Sequence, residues 1–126
     1  KQIEKLNIHN ASLLAMKRAV ENLLSKVSYA TKKKIFVYVD GKFNIPDVGH
    51  TQLAVVGADS KIFSVSSASI IAKVHRDNLM MKLHNKFPDY NLAQHKGYGT
   101  LQHRNAIKKH GLSDIHRQTF CSKIIK

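Results

Sequence analysis

Apolar residues in the first part of the chain recur at intervals of three and four, the spacing of one face of an α-helix. They follow Asn10, a residue type that is favoured at helix N-caps. The positions on this face are Leu13, Met16, Val20, Leu23 or Leu24, and Val27. The pattern predicts a helix that begins after Asn10 and packs into the core.

Two short runs of continuous apolar residues come next, and each leads into an acidic turn. The first covers residues 35–39 and is followed by Asp40, and the second covers residues 53–56 and is followed by a turn with Asp59. Continuous apolarity is typical of strands that are covered on both faces, as in parallel sheets. The sequence therefore predicts a mixed α/β fold.

The second half of the chain is predominantly helical in pattern. Residues 69–87 predict a helix that ends at Pro88, because proline cannot continue a helix. The apolar residues available for the core are Ile70, Ile71, Val74, Met81 and Leu83. Asp77 interrupts this stripe, and an acid on an inward face needs a partner or a function.

A shorter helix is predicted from residue 101 to residue 110. Thr100 is a suitable N-cap, and Gly111 is a suitable C-cap residue. From Ser113 onward the chain is basic and shows no strong periodicity. No internal repeat or linker divides the sequence, so residues 1–126 are expected to form one domain.

The net charge of the chain indicates more about its binding partner than its overall composition does. The 126 residues include 21 Lys and Arg against 8 Asp and Glu, so the net charge is 21 − 8 = +13. Such an excess favours a polyanionic partner, most often nucleic acid, although a basic protein with merely solvated lysines stays open. The single cysteine, Cys121, allows no internal disulfide, and the apolar runs are too short to span a membrane. With no signal peptide in the pattern, we expect a cytoplasmic protein without a membrane partner.

Asp40 and Asp59 are the main candidates for chemistry. Each follows a predicted strand, and ligands of open α/β sheets bind outside the carboxyl ends of the strands. Two adjacent carboxylates repel each other unless a cation or a proton lies between them. Hard divalent ions take oxygen ligands and suit phosphate chemistry. The alternative, in which both are ordinary residues of strand-to-turn transitions, stays open.

Histidine and tyrosine residues give weaker signals. The histidines at 95, 103, 110 and 116 lack the spacing of a zinc motif and are interpreted as surface or phosphate-contacting residues. Tyr98 lies between two glycines, where an exposed aromatic ring can stack on a sugar or a base. A tyrosine packed in a turn would show the same pattern.

Three motifs in the second half carry a resemblance to a known family. They are SASIIAKVHRD at residues 67–77, FPDY at 87–90 and HKGYGT at 95–100. These closely resemble the C-terminal half of bacterial ribonuclease HII, and NASLLAMKRAV at 10–20, VDG at 39–41 and IHRQTF at 115–120 extend the match over essentially the whole chain.

The resemblance implies a ribonuclease H-like α/β fold, here with a partial sheet and flanking helices. It also implies an endonuclease that hydrolyses the RNA strand of RNA–DNA hybrids and cuts at ribonucleotides embedded in duplex DNA. Two-metal-ion catalysis with Mn²⁺ or Mg²⁺ is the implied mechanism. By the same resemblance Asp40 and Asp59 are catalytic metal ligands, Asp77 is a supporting acid, and Tyr98 packs on the sugar at the RNA–DNA junction. Lys73, Lys96 and Arg104 are candidate phosphate contacts.

One departure from the family is large. Its N-terminal G-[IV]-D-E-A-G-R-G segment, which completes the metal site, has no counterpart in this sequence. We therefore expect residues 1–126 to be an N-terminally incomplete catalytic domain that does not cut its substrate without such a segment. Apart from this segment, the chain is expected to be monomeric. The alternatives are a catalytically incomplete basic nucleic-acid-binding fragment and a structural basic protein of a ribonucleoprotein.

Overall fold

The computed structural model describes residues 2–125, except the side chains of Lys123 and Ile125, as a mixed α/β structure. In chain order the elements are α1 (Gln2–Ser25), α2 (Tyr29–Lys32), β1 (Val37–Asp40), β2 (Gln52–Val55), a 3-10 turn (Ala58–Ser60), α3 (Phe63–Lys86), a second 3-10 turn (Pro88–Tyr90), α4 (Leu92–His95), α5 (Leu101–His110) and α6 (Gln118–Ile125). An N-terminal unit ends at Ser69 and a C-terminal unit begins at Ile70, so the division falls within α3.

The first helix begins earlier than the sequence pattern predicts. The helix α1 is broken at Asn7, whose φ of 65° lies in the left-handed region that asparagine tolerates better than most residues. The Asn7 Oδ1 atom accepts a hydrogen bond from the backbone N–H of Asn10 at 3.0 Å. Asn7, and not Asn10, is therefore the N-cap of the longer helical segment. No residue of α1 is fully buried, but Leu13, Val20 and Leu24 of the predicted face are half-buried. The prediction of a core-packing helix is therefore confirmed only in part.

The two predicted strands form a parallel pair. Val37 to Asp40 of β1 lie opposite Gln52 to Val55 of β2, which confirms the predicted partial sheet. The expectation that both faces are covered was wrong for the described part of the chain. Val39 is buried, whereas Tyr38 and Leu53 are exposed by 44% and 49%.

The N-terminal unit has a small core around the sheet. Its fully buried apolar residues are Val39, Ile45 and Ala58. The loop between the strands is held by Gln52, whose side-chain amide accepts from the Ile45 N–H and donates to the Ile45 carbonyl, both at 2.8 Å. These two bonds satisfy both the backbone N–H and the backbone carbonyl of Ile45, which is buried.

The long helix α3 begins six residues before its predicted start and ends, as predicted, before Pro88. Its predicted core stripe is wrong at four positions: Ile70, Ile71, Val74 and Met81 are all exposed. Only Leu83 of that stripe packs against a buried cluster. The periodicity correctly placed the apolar residues on helical faces, but no described residue covers most of them.

The C-terminal unit has a more extensive core. Tyr90, Leu92, Ile107 and Cys121 are buried together, and partly buried residues of α3, α5 and α6 surround them. The Tyr90 hydroxyl donates to the Gly111 carbonyl at 3.0 Å, which ties the second 3-10 turn to the end of α5. The helix α6 was missed by the sequence analysis, since its short apolar pattern lies within a basic tail. No described helix is long and apolar enough to cross a membrane.

Candidate functional site

The two candidate acids lie at the same edge of the sheet. Asp40 is the last residue of β1, and it lies opposite Val55, the last residue of β2. Asp59 follows four residues later, in the 3-10 turn Ala58–Ser60. Because the strands are parallel, their carboxyl ends are adjacent, as the sequence analysis expected.

A direct hydrogen bond joins the two acidic segments. The Asp40 Oδ1 atom accepts from the backbone N–H of Ala58 at 3.0 Å, and Ala58 is 0% exposed. Gly57, with a φ of 66°, makes the left-handed turn that brings this N–H back toward β1. The carboxylate of Asp40 thus fixes the turn that carries the neighbouring Asp59.

The donor set suits a hard divalent cation but is small. Asp40 and Asp59 are both exposed, and carboxylate oxygens are the ligands that Mg²⁺ and Mn²⁺ prefer. Among the described residues, no group of three or more His, Cys, Asp or Glu could hold a metal ion. The two carboxylates therefore fit as a part of such a site.

Asp77 lies on α3 within the C-terminal unit and is half-buried. Its side chain forms no hydrogen bond or ion pair with any other described residue, so the partner that the sequence analysis expected is not found there. Its supporting function stays a prediction.

Tyr98 projects from a tightly turned loop, which we call the Tyr98 loop (residues 95–100). Lys96 and Gly97 have φ values of 50° and 76°, and these consecutive left-handed residues reverse the chain after α4. A Cβ atom on Gly97 would lie 3.3 Å from the Met80 sulfur, so the loop also approaches α3 closely. The Tyr98 ring itself is 61% exposed.

Two arginines hold this loop through its carbonyl groups. Arg76 donates to the Lys96 carbonyl at 3.1 Å, and its guanidinium lies 4.4 Å from the centre of the Tyr98 ring. Arg104 donates to the Gly99 carbonyl at 2.9 Å. The cation–π contact orients the inner face of the ring, while more than half of the side chain remains exposed to solvent.

The three basic residues predicted to contact phosphate differ in their availability. The Lys96 Nζ atom donates to the Ala93 carbonyl at 2.6 Å and is half-buried, so this ammonium group already has a partner. Arg104 is exposed and uses its Nε for the bond to Gly99. Lys73 is exposed on α3.

The histidines beneath the Tyr98 loop correct the prediction that they lie at the surface. His95 and His103 are only 6% and 7% exposed, and their rings stack with centroids 4.2 Å apart. His95 bonds to the Tyr90 carbonyl at 2.7 Å through Nε2 and accepts from the Gly97 N–H through Nδ1. His103 bonds to the carbonyl of Tyr98 itself.

A cavity of about 750 Å³ opens beside this cluster within the C-terminal unit. Apolar residues of the core form much of its wall, and its charged lining residues are Arg76, Arg104 and Arg117. No carboxylate occurs among the described residues that line it. The cavity therefore combines a largely apolar lining with three arginines.

Comparison with known proteins decides the family. Residues 1–123 match the family model described as Ribonuclease HII. The chain belongs to the ribonuclease HII family. The α/β structure is accordingly that of a ribonuclease H-like fold, as the resemblance implied.

Ribonuclease HII proteins from several bacteria are similar to this chain. The protein named Ribonuclease HII from Synechocystis sp. is 44% identical over 124 residues, which cover 98% of this chain and 62% of that protein. The one from Caldanaerobacter subterraneus is 44% identical over 126 residues, covering 100% and 49%, and the one from Borreliella burgdorferi is 48% identical over 118 residues, covering 94% and 61%. The chain thus spans about half to three-fifths of the length of these ribonuclease HII relatives.

Arg76 is a candidate functional residue that the sequence analysis did not assign, and His103 and His116 were interpreted there only as surface or phosphate-contacting residues. Arg76 stood within the SASIIAKVHRD motif of the ribonuclease HII resemblance, which was the one available signal. The two histidines come from α5 and from the segment before α6, and their Nε2 atoms lie 3.1 Å apart. Only the tertiary structure shows that these two rings meet and that His103 bonds to the Tyr98 loop.

Proposed function

We propose that this chain forms part of a metal-dependent endonuclease that hydrolyses the RNA strand of RNA–DNA hybrids and cuts at ribonucleotides embedded in duplex DNA. The observation that carries the proposal is the pairing of Asp40 with the turn that bears Asp59, in a chain of the ribonuclease HII family. A cytoplasmic location is part of the proposal and rests on the single, buried cysteine.

Asp40 and Asp59 are the residues that would hold Mg²⁺ or Mn²⁺. Such ions, when bound, lower the pKa of a water nucleophile and stabilise the leaving oxygen of a phosphodiester. Asp40 contributes to this site in two ways, because one oxygen accepts the Ala58 N–H while its charge remains available to a cation. The exposure of both side chains leaves room for a phosphate group at the edge of the sheet.

Tyr98 is proposed to stack on the sugar of the ribonucleotide at the junction. Its ring is exposed, and Arg76 and the loop turns fix its orientation before substrate arrives. Lys73, Lys96 and Arg104 would then contact the flanking phosphates, with Lys96 first releasing its bond to Ala93. The net charge of +13 favours this polyanionic substrate.

A second candidate function is a basic nucleic-acid-binding module without catalysis of its own. It is favoured by one observation, namely that the described residues bring together no group of three or more metal-binding side chains. Cleavage would then require further metal ligands from another polypeptide segment. Apart from such a segment, we propose that the chain is monomeric.

Cleavage of a duplex with a single ribonucleotide tests the two candidates. The chain is incubated with Mn²⁺ or Mg²⁺, alone and with the remaining part of the Synechocystis relative added in trans. We expect cleavage only with the added part, and its loss in Asp40→Asn. Asp47→Asn is the charge-matched control, since Asp47 is exposed and pairs only with Lys17 in the described structure.

Each outcome distinguishes the candidates. Metal-dependent cleavage that requires Asp40 supports the nuclease, whereas binding without cleavage under both conditions supports the binding module. Cleavage by the chain alone, lost in Asp40→Asn, would show that Asp40 and Asp59 need no further segment.

A further inference from the structure

A continuous series of hydrogen bonds runs through two imidazole rings to the carbonyl of Tyr98. The Ser113 N–H and hydroxyl lie 3.1 Å and 2.8 Å from Nδ1 of His116. Nε2 of His116 lies 3.1 Å from Nε2 of His103, and Nδ1 of His103 lies 2.9 Å from the Tyr98 oxygen. We refer to His103 and His116 as the histidine pair.

The groups at the two ends determine where the ring protons lie. The Ser113 N–H can only donate, so Nδ1 of His116 must accept and its proton must be on Nε2. That proton is donated to Nε2 of His103, which must therefore be bare. The proton of His103 is then on Nδ1, where it is donated to the Tyr98 carbonyl.

The series is complete only while both rings are neutral. A second proton on His103 would occupy Nε2 and face the N–H of His116, so that two donors would meet at 3.1 Å. A second proton on His116 would occupy Nδ1 and face the Ser113 N–H. Each protonation therefore breaks one bond of the series. The bond from His103 Nδ1 to the Tyr98 carbonyl is kept in both cases, because Nδ1 still carries its proton.

The surroundings of the pair oppose a positive charge. His95 stacks on His103, the Tyr90 ring lies 4.7 Å from that of His116, and His110 lies beyond Tyr90 at 6.2 Å. The charged groups that line the adjoining cavity are Arg76, Arg104 and Arg117, with no carboxylate among its described lining residues. Burial lowers the pKa of both members of the pair, and the charge of a neighbouring histidine lowers each further. The hydrogen bond to the Tyr98 carbonyl raises the pKa of His103 but does not outweigh the effect of burial.

We propose that His103 and His116 are positioning residues that hold the Tyr98 loop for contact with the ribonucleotide sugar. The inference rests on the proposed function, since it assigns a purpose to the fixed orientation of Tyr98. It adds a hydrogen-bonded support behind a side chain that would touch the substrate. The pair itself would not contact the substrate.

Nuclear magnetic resonance of the full chain with ¹⁵N-labelled histidine tests the support directly. At about pH 7.5 we expect the proton of His103 on Nδ1 and that of His116 on Nε2, and the Tyr98 and Gly99 signals should shift with the His103 ring as the pH falls to about 5.5. Reversed tautomers in the unaltered chain, or Tyr98 signals that ignore the His103 titration, would overturn the inference without any variant.

The variant His103→Asn separates positioning from titration. Its amide N–H₂ group can replace the Nδ1 donor to Tyr98 but cannot be protonated, so the Tyr98 signals should become independent of pH. The control is His75→Asn, because His75 is exposed on α3 and should leave the titration unchanged. A Tyr98 titration that persists in His103→Asn would refute the assignment.

Duplex binding connects the support to the proposed function. The ratio of Kd for an all-DNA duplex to Kd for a duplex with one ribonucleotide should fall roughly fivefold in His103→Ala, the effect of one lost hydrogen bond. This variant removes the donor to the Tyr98 carbonyl. The ratio should not change in His103→Asn. A chain with no ribonucleotide preference at any pH contradicts the proposed function, and the ring spectra then decide the positioning inference by themselves.

Discussion

The hydrogen bond from the Ala58 N–H to Asp40 allows the structural contribution of this carboxylate to be separated from its charge. In Asp40→Ala the backbone N–H of Ala58 loses its hydrogen-bond partner. Because Ala58 is 0% exposed, this loss should lower the free energy of unfolding by about 1–3 kcal/mol. In Asp40→Asn the amide oxygen can still accept this bond without the added strength of a charged acceptor, so the expected loss is about 1 kcal/mol or less. Asp59→Ala is the matched control, because no hydrogen bond joins its side chain to another described residue.

The assay combines urea unfolding with a manganese titration. At a concentration tenfold above its Kd, a bound ion should stabilise the unaltered chain by about 1.4 kcal/mol. Both Asp40 variants should lose this stabilisation, since each removes the charge, whereas Asp47→Asn should retain it. Hydrogen exchange at the Ala58 amide gives a local readout, and it should accelerate in Asp40→Ala more than in Asp40→Asn.

Two results would refute this reasoning. Equal losses of stability in the alanine and asparagine variants would mean that the bond to Ala58 contributes nothing to the turn. A manganese response in Asp40→Asn equal to that of the unaltered chain would remove Asp40 from the proposed metal site.

Three further predictions concern other parts of the chain. Asn7→Ala should lower the free energy of unfolding by about 1 kcal/mol through loss of the N-cap, while Asn10→Ala should have little effect; equal effects in urea unfolding would contradict the cap assignment. Tyr98→Ala should weaken binding to a duplex with one ribonucleotide more than binding to plain DNA. The slope of log affinity against log salt concentration, about −0.9 per phosphate contact, should not change. Equal losses on both duplexes would leave Tyr98 as a general stacking or packing residue. Folding lowers the pKa values of His103 and His116, so the unfolded chain binds more protons than the folded chain. The free energy of unfolding should therefore be greatest above about pH 6.5 and should fall as the pH drops through the lowered pKa values. A urea midpoint that does not fall with pH would disprove this.

Local rules in the sequence determined those elements whose boundaries depend on neighbouring residues. The helix α5 begins and ends where predicted, because Thr100 accepts from the His103 N–H and Gly111 adopts a φ of 79°. The β1 and β2 strands and the two acids at or after their carboxyl ends were also predictable, since continuous β-branched runs and acidic turns are local signals. The family followed from motifs that are likewise contiguous in the chain.

The tertiary structure alone decided which surfaces are covered and which distant residues meet. Periodicity assigned Ile70 and Val74 to one helical face, but it carries no information on whether another element packs there, and both are exposed. The same limit applies to the histidines. His103 and His116 are thirteen residues apart and share no motif, yet α5 and the segment before α6 bring their rings into contact. Such contacts depend on the summed packing of several helices, which no local pattern encodes.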